Sequence, residues 1–190
     1  MLLEAKADVN SQDSDDRTAL HLVTILGSMS CSKLLVQHGA DANILDLEQQ
    51  SCLHAAAASG SLDLIDMLNK HSNTLNTTDS QHRTPLYLAM ELDQIETVCS
   101  LMNKGADVAI PDNRKVTPLH LAVKRHIPDK QLVKKMILHS AAPNARNSES
   151  NSVVSTAIDM GRTNLLPILL QMPEEAEFSS AVDNNGRSYL

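Results

Sequence analysis

Aromatic side chains are nearly missing from this chain: there is no tryptophan, and only two tyrosines and one phenylalanine occur among 190 residues. Any core must then be assembled from Leu, Ile, Val, Met and Ala, which suits thin layers of small helices. The same lack removes the stacking platforms that single-stranded nucleic acid needs. Basic residues are also in short supply. Sixteen Lys plus Arg against 23 Asp plus Glu leave a formal charge of −7, whereas a general nucleic-acid binder needs a basic footprint. Cysteine is scarce: Cys31, Cys52 and Cys99 are odd in number and form no CxxC pair. That excludes a disulfide framework and fits a reducing compartment, the cytoplasm, with the nucleus also compatible. The sequence shows no apolar run near about 18 residues and no signal-peptide pattern, so no membrane insertion is expected. In that setting the sequon Asn76-Thr77-Thr78 reads as a chance match.

Chemical motifs are absent too. There is no nucleophile elbow, phosphate-cradling glycine loop, HExxH or calcium loop. Asp13, Asp15 and Asp16 lie close together but lack the glycine and terminal glutamate that a calcium loop requires. The expectation is a chain with no catalytic residue, no cofactor and no metal.

What the chain does have is repetition. TALHLV at 18–23 returns as SCLHAA at 51–56, TPLYLA at 84–89 and TPLHLA at 117–122, so Thr18, Ser51, Thr84 and Thr117 stand 33 residues apart. Five residues upstream of each lies an acid: Asp13, Asp46, Asp79 and Asp112. A second phrase keeps step, HGADAN at 38–43, KGADVA at 104–109 and a worn HSNTLN at 71–76. Gly27 and Gly60 follow their Thr or Ser by nine residues. Two registers compete for the fifth unit, STAIDM at 155–160 and SVVSTA at 152–157. The second is preferred, because it puts Asn147 in the acidic position and Gly161 in the glycine position.

A 33-residue period carrying TPLHLA and GADVN resembles the ankyrin repeat. The resemblance implies an all-α solenoid of stacked helix pairs with β-hairpin or loop fingers. It divides the chain into the end of a preceding repeat (1–12), repeats at 13–45, 46–78 and 79–111, a repeat with a short insertion (112–146), a degenerate repeat (147–182) and the start of another (183–190). Local chemistry agrees independently. Thr84-Pro85 suits a helix start, because Thr caps well and Pro tolerates the first turn. Ile95, Val98, Leu101 and Met102 fall at helical spacing over about 95–104, with Gly105 beyond as a stop. Helices of two to three turns do not persist alone in water, so each unit has to bury its face on its neighbours. Neither end of the chain reads as a polar capping repeat, so the expectation is a segment of a longer array.

Periodicity also accounts for most of the eight histidines. His21, His54 and His120 share one motif position, and His38, His71 and His139 share another. Residues that recur by repeat sit roughly 10 Å apart on successive layers, too far to converge on one zinc. Seven of the 16 basic residues crowd one repeat: Arg114, Lys115, Lys124, Arg125, Lys130, Lys134 and Lys135. The plainer reading is a solvated helix face; the sharper one is a docking point for an acidic segment of a partner. Ile127-Pro128-Asp129-Lys130 and Pro173-Glu174-Glu175-Ala176-Glu177 read as insertions tolerated in exposed loops.

The resemblance implies protein recognition through a concave face of hairpin tips and first-helix ends. On that basis the partner-binding residues are Leu47, Glu48 and Gln50; Ser80, Gln81 and Arg83; Asn113, Arg114 and Val116; and Glu91, Leu92, Lys124 and Arg125. Their repeat positions imply that they are exposed and free to vary. The alternative is an ankyrin module that selects substrate for an enzyme whose catalytic domain lies outside these residues; a third is a module that masks a partner's surface. Asn10, Asn43, Asn76 and Asn144 share the position ending GADVN, which some ankyrin proteins β-hydroxylate, and Asn43 has the best-matched context.

Overall fold

A computed structural model describes residues 7–126 and 129–170. Two compact units, Met1–Ala106 and Asp107–Leu190, divide the chain. The first holds three helix pairs: α1 (Ala19–Ile25) with α2 (Met29–Gln37), α3 (Cys52–Ser59) with α4 (Leu62–His71), and α5 (Pro85–Glu91) with α6 (Ile95–Asn103). The second holds α7 (Pro118–Lys124) with α8 (Lys130–Leu138), then α9 (Val153–Asp159) followed by a 3-10 turn (Thr163–Leu165) and α10 (Leu166–Leu170). Pro167 lacks the N–H that would continue the hydrogen-bond ladder, which accounts for the change of helix type at that point.

Each repeat opens with the same turn, and one side-chain oxygen organises it. Oδ1 of Asp79 accepts the backbone N–H of Gln81 at 2.9 Å and of Arg83 at 2.8 Å. Asp13 and Asp112 do the same for Asp15 and Arg17, and for Arg114 and Val116. In the fifth unit the amide oxygen of Asn147 accepts Glu149 at 3.0 Å and Asn151 at 2.9 Å, so the missing charge costs no hydrogen bond. The fourth residue of every turn is left-handed: Asp16, Gln49, His82, Lys115 and Ser150 have φ between 58 and 65°. Antiparallel bridges close three turns, Gln12 to Thr18, Leu45 to Ser51 and Arg146 to Ser152. At the matching place in the fourth repeat, Pro111 has no N–H to offer a bridge.

The turn delivers a helix cap. Thr84, Thr117 and Ser152 accept the N–H of Tyr87, His120 and Ser155 on their side-chain oxygens at 3.1, 3.4 and 3.0 Å. The first helix therefore starts at Val153 in the fifth unit, with Ser152 and not Ser155 as its cap. Two residues past each cap a fully buried side chain enters the core: Leu20, Leu53, Leu86, Leu119 and Val154. Three further on, Ala56, Ala89, Ala122 and Ala157 are buried and small, which lets neighbouring helices approach closely. In the first unit α1 packs on α3 and α3 on α5, while α2 packs on α4 and α4 on α6; in the second, α7 meets α8 and α9, and α8 meets α10.

Helix stops follow the glycine rule with instructive exceptions. After α2 and α6, Gly39 and Gly105 are left-handed, and the next N–H returns to the C=O of Leu35 and Leu101, both at 3.0 Å. Ser140 makes the same stop after α8 at φ 73° without being glycine, and Asp93 does so after α5 at φ 61°. After α4 no such stop forms: Ser72 is extended, in keeping with the worn phrase at 71–76.

Histidine joins one repeat to the next. The N–H of Thr18 donates to His21 Nδ1 at 3.1 Å, so that nitrogen is an acceptor and the proton sits on Nε2. Nε2 lies 3.3 Å from the carbonyl of Gln50 in the following turn. His54 repeats the arrangement between Ser51 and the Arg83 carbonyl, and His120 between Thr117 and the Asn151 carbonyl. All three rings are buried. Burial pushes their pKa values below the ordinary 6.5, despite the carbonyl that favours the charged form.

Two predictions follow from this packing. Leu119→Ala removes a side chain with no exposed surface and should cost about 2–5 kcal/mol in denaturant unfolding; a loss under about 0.5 kcal/mol contradicts its role in the core. The second concerns pH. The unfolded histidines take up protons near 6.5 while the folded ones resist, so stability is complete above that value and falls as pH drops through the depressed folded values. Each histidine contributes a slope of at most about 1.4 kcal/mol per pH unit. Unfolding midpoints measured from pH 7.5 down to 5 should fall, and His54→Gln should reduce the slope; an unchanged slope in that variant contradicts the assignment.

Candidate functional site

The turn tips and first-helix ends carry the residues expected to meet a partner, and the structure sorts them into three kinds. Leu47, Glu48, Ser80, Gln81, Asn113 and Arg114 are exposed at tips. Their backbones are nonetheless tied together: Leu47 N–H donates to the Asp15 carbonyl at 2.9 Å, Ser80 N–H to the Glu48 carbonyl at 2.8 Å, and Ser148 N–H to the Arg114 carbonyl at 2.8 Å. The Ser80 hydroxyl also donates to Glu48 Oε2 at 2.8 Å. The tips therefore present side chains from a ladder whose backbone does not depend on their identity.

A second kind is structural. Gln50, Arg83 and Val116 close their turns, and the carbonyls of Gln50 and Arg83 receive the imidazole of the preceding repeat. Val116 is only 6 % exposed, which corrects the expectation of an exposed contact residue. Its N–H and C=O both bond to Asp112, at 2.8 and 3.0 Å, as in every other turn, but here the side chain is apolar and is buried where Gln50 and Arg83 are half-buried. Arg83 is held by ion pairs to Asp79 at 2.8 Å and to Glu91 at 3.0 Å. Arg83 and Glu91, taken separately from the sequence as contact residues, are thus each other's counter-charge.

The third kind lies at the first-helix ends. Leu92 is 51 % exposed, Lys124 is exposed and Arg125 is half-buried. Arg114 has a counter-charge of its own, since its Nε lies 3.4 Å from Asp112 Oδ2. Behind Lys124 and Arg125 the chain is pinned by Arg162, whose Nη2 donates to the Arg125 and His126 carbonyls at 3.0 and 3.2 Å. A cation at that place suits the negative end of a short helix. Ile127 and Pro128 of the expected insertion, and all of 173–177, lie outside the described residues; Asp129 caps α8 by accepting the N–H of Gln131 at 2.8 Å.

Sequence reasoning missed an apolar ledge. Leu22 and Ile25 on α1 and Leu26 at its C-terminal end are 40, 54 and 79 % exposed. Ile25 and Leu26 stand two repeats before Glu91 and Leu92 and three before Lys124 and Arg125, so applying the period to the residues already chosen would have found them.

Among the described residues no group of three or more His, Cys, Asp or Glu side chains is placed to hold a metal. The Cys52 thiol is buried and pushed up to about 12, which leaves it inert. The Asp13 carboxylate is held below its ordinary range, first by the backbone hydrogen bond from Arg17 and also by its guanidinium, against a smaller opposing effect of burial. It titrates as a turn clamp. No helix among the described residues is long and apolar enough to cross a membrane.

No curated protein matches the chain. Family profiles do: one described as ankyrin repeats (3 copies) matches residues 1–79 and 39–112, and one described as ankyrin repeat matches residues 115–148. With the repeated turn, cap and helix pair already described, these matches place the chain in the ankyrin-repeat family.

Proposed function

We propose that this chain is a scaffold that binds another protein through its turn tips and first-helix ends, working in the cytoplasm or nucleus without catalysis of its own. Ankyrin repeats are generally protein–protein interaction modules, and proteins built from them are typically non-enzymatic. One observation carries the assignment of the surface. The same pair of helix-end positions holds Ile25 and Leu26, Ala58 and Ser59, Glu91 and Leu92, Lys124 and Arg125, then Asp159 and Met160. Leu26 and Leu92 are 79 and 51 % exposed there, although the turns and caps around them repeat closely. The backbone there is near-helical at Leu26, Leu92 and Met160 and extended at Arg125, while the side chain changes from repeat to repeat, which leaves the position free to encode a partner. The repeat boundaries stated above, with the fifth unit opening at Asn147, frame this surface in the proposal; 171–182 and 183–190 fall outside the described residues.

The partner segment opposite Lys124 and Arg125 is acidic in this reading, and the one opposite Leu22, Ile25 and Leu26 is apolar. Complementary charge raises association rates and adds salt sensitivity. Affinity capture on the intact chain with mass spectrometry identifies the partner. Its titration against wild type and Lys124→Glu/Arg125→Glu at two salt concentrations should show roughly tenfold weaker binding in the variant, through a slower on-rate and a flatter salt dependence. Equal affinity and equal salt dependence would reduce the pair to a solvated helix end.

Asn43 is proposed as a site of β-hydroxylation. It is exposed, its Nδ2 donates to Asp41 at 2.8 Å, and its Oδ1 accepts the Asn73 N–H at 2.9 Å. The side chain is thus fixed at both ends while the residue faces solvent. Peptide mass spectrometry of protein from native cells should show one added oxygen at Asn43; complete coverage of the unmodified peptide alone would refute the assignment.

A further inference from the structure

The repetition of the chain makes each second helix a control for the others. Position for position, Lys130, Lys134 and Leu138 of α8 correspond to Ile95, Cys99 and Asn103 of α6, to Leu62, Asp66 and Lys70 of α4, and to Met29, Lys33 and Gln37 of α2. The last position is polar in three repeats and leucine in one, and that leucine is 76 % exposed. The first position is apolar in three repeats and lysine in one. The fold therefore asks for neither residue in α8.

Both departures meet in one place. A groove of about 380 Å³ between α8 and α10 is lined by Lys130, Gln131, Lys134, Ile137, Leu138 and Ile168. Its lining is aliphatic, its rim carries two exposed lysines, and among the described residues no acidic side chain lines it. The groove between α2 and α4 in the other unit, about 460 Å³, differs in the respect that matters: Lys33 and Lys70 there share the lining with Asp63 and Asp66, and Asp66 is also paired with Lys104. Among the described residues, charge in that groove is balanced internally and charge in the α8–α10 groove is not.

We propose that the α8–α10 groove docks an acidic amphipathic helix of a partner protein. Lys130, Lys134 and Leu138 are spaced one turn apart along a single stripe about 12 Å long. An occupant of two to three turns would set carboxylates one turn apart on the two lysines and an aliphatic side chain on Leu138, Ile137 and Ile168, the helix-in-groove mode of recognition. An anionic lipid surface is disfavoured, because the chain carries a formal net charge of −7 and would be repelled from it. This site is separate from the one built on Lys124 and Arg125, and neither reading requires the other.

The test is a phage-displayed library of random 16-residue peptides selected on the purified full chain, with phosphatidylserine vesicles as a parallel probe. Enriched peptides should carry Asp or Glu and Leu, Ile or Met one turn apart and become helical when bound. Their affinity should fall at least tenfold for Leu138→Asn, which installs the residue α6 carries at Asn103, and for Lys130→Glu/Lys134→Glu. It should be unchanged for Lys124→Glu/Arg125→Glu. Matching unfolding midpoints show that these exposed substitutions leave the fold intact. The proposal is overturned if no such peptides are enriched, if those enriched bind Leu138→Asn as well as wild type, or if they lose affinity only with Lys124 and Arg125 changed. Vesicle binding that depends on Leu138 and Lys134, without acidic peptides, would assign the groove to a membrane instead.

Discussion

The imidazole that runs from one helix cap to the next turn is the interaction on which the rest of this structure depends. A seven-residue helix such as α1 or α7 closes few backbone hydrogen bonds of its own and does not persist in isolation. It forms because its cap is set by a turn and its apolar face is buried by neighbours. His21, His54 and His120 link those requirements, each accepting the cap N–H on Nδ1 and reaching the carbonyl of the following turn with Nε2. The next turn is itself closed by Asp or Asn, which fixes the next cap. Within each unit the order is thus passed from one repeat to the next by short, buried polar contacts: first to second and second to third in one, fourth to fifth in the other.

This division of labour explains why the recognition surface can vary. Turn closure uses backbone groups and one side-chain oxygen, while the core uses one leucine or valine and one alanine per first helix. Tip and helix-end side chains are left out of both accounts. Ile25 and Leu26, Glu91 and Leu92, and Lys124 and Arg125 therefore occupy comparable helix-end positions without disturbing the repeat. The same freedom on the second helices allows Leu138 and its lysines to depart from the pattern of α2, α4 and α6.

The period made most of the architecture legible, because the residues that build turn, cap and core must recur wherever the structure does. Asn147 could be placed opposite four aspartates because spacing survives substitution, and its amide oxygen does what their carboxylates do. The candidate site was legible only in part. Position within the repeat does not reveal that Val116 turns inward or that Arg83 is already neutralised by Asp79 and Glu91, since both facts depend on side-chain direction and on partners several residues away. The apolar ledge on α1 escaped notice for a different reason: Leu22, Ile25 and Leu26 look like core by composition, and only their exposure sets them apart.

Nitrogen-15 NMR of the histidine side chains at neutral pH tests the central claim most directly, because it reads the tautomer that the relay requires. His21, His54 and His120 should each be neutral with the proton on Nε2. That proton should exchange slowly with water and show a coupling across the hydrogen bond to the carbonyl of Gln50, Arg83 or Asn151. Protonated Nδ1, or rapidly averaging tautomers at these three residues, would contradict the account, because the cap N–H would then have no acceptor and the repeats no shared bond.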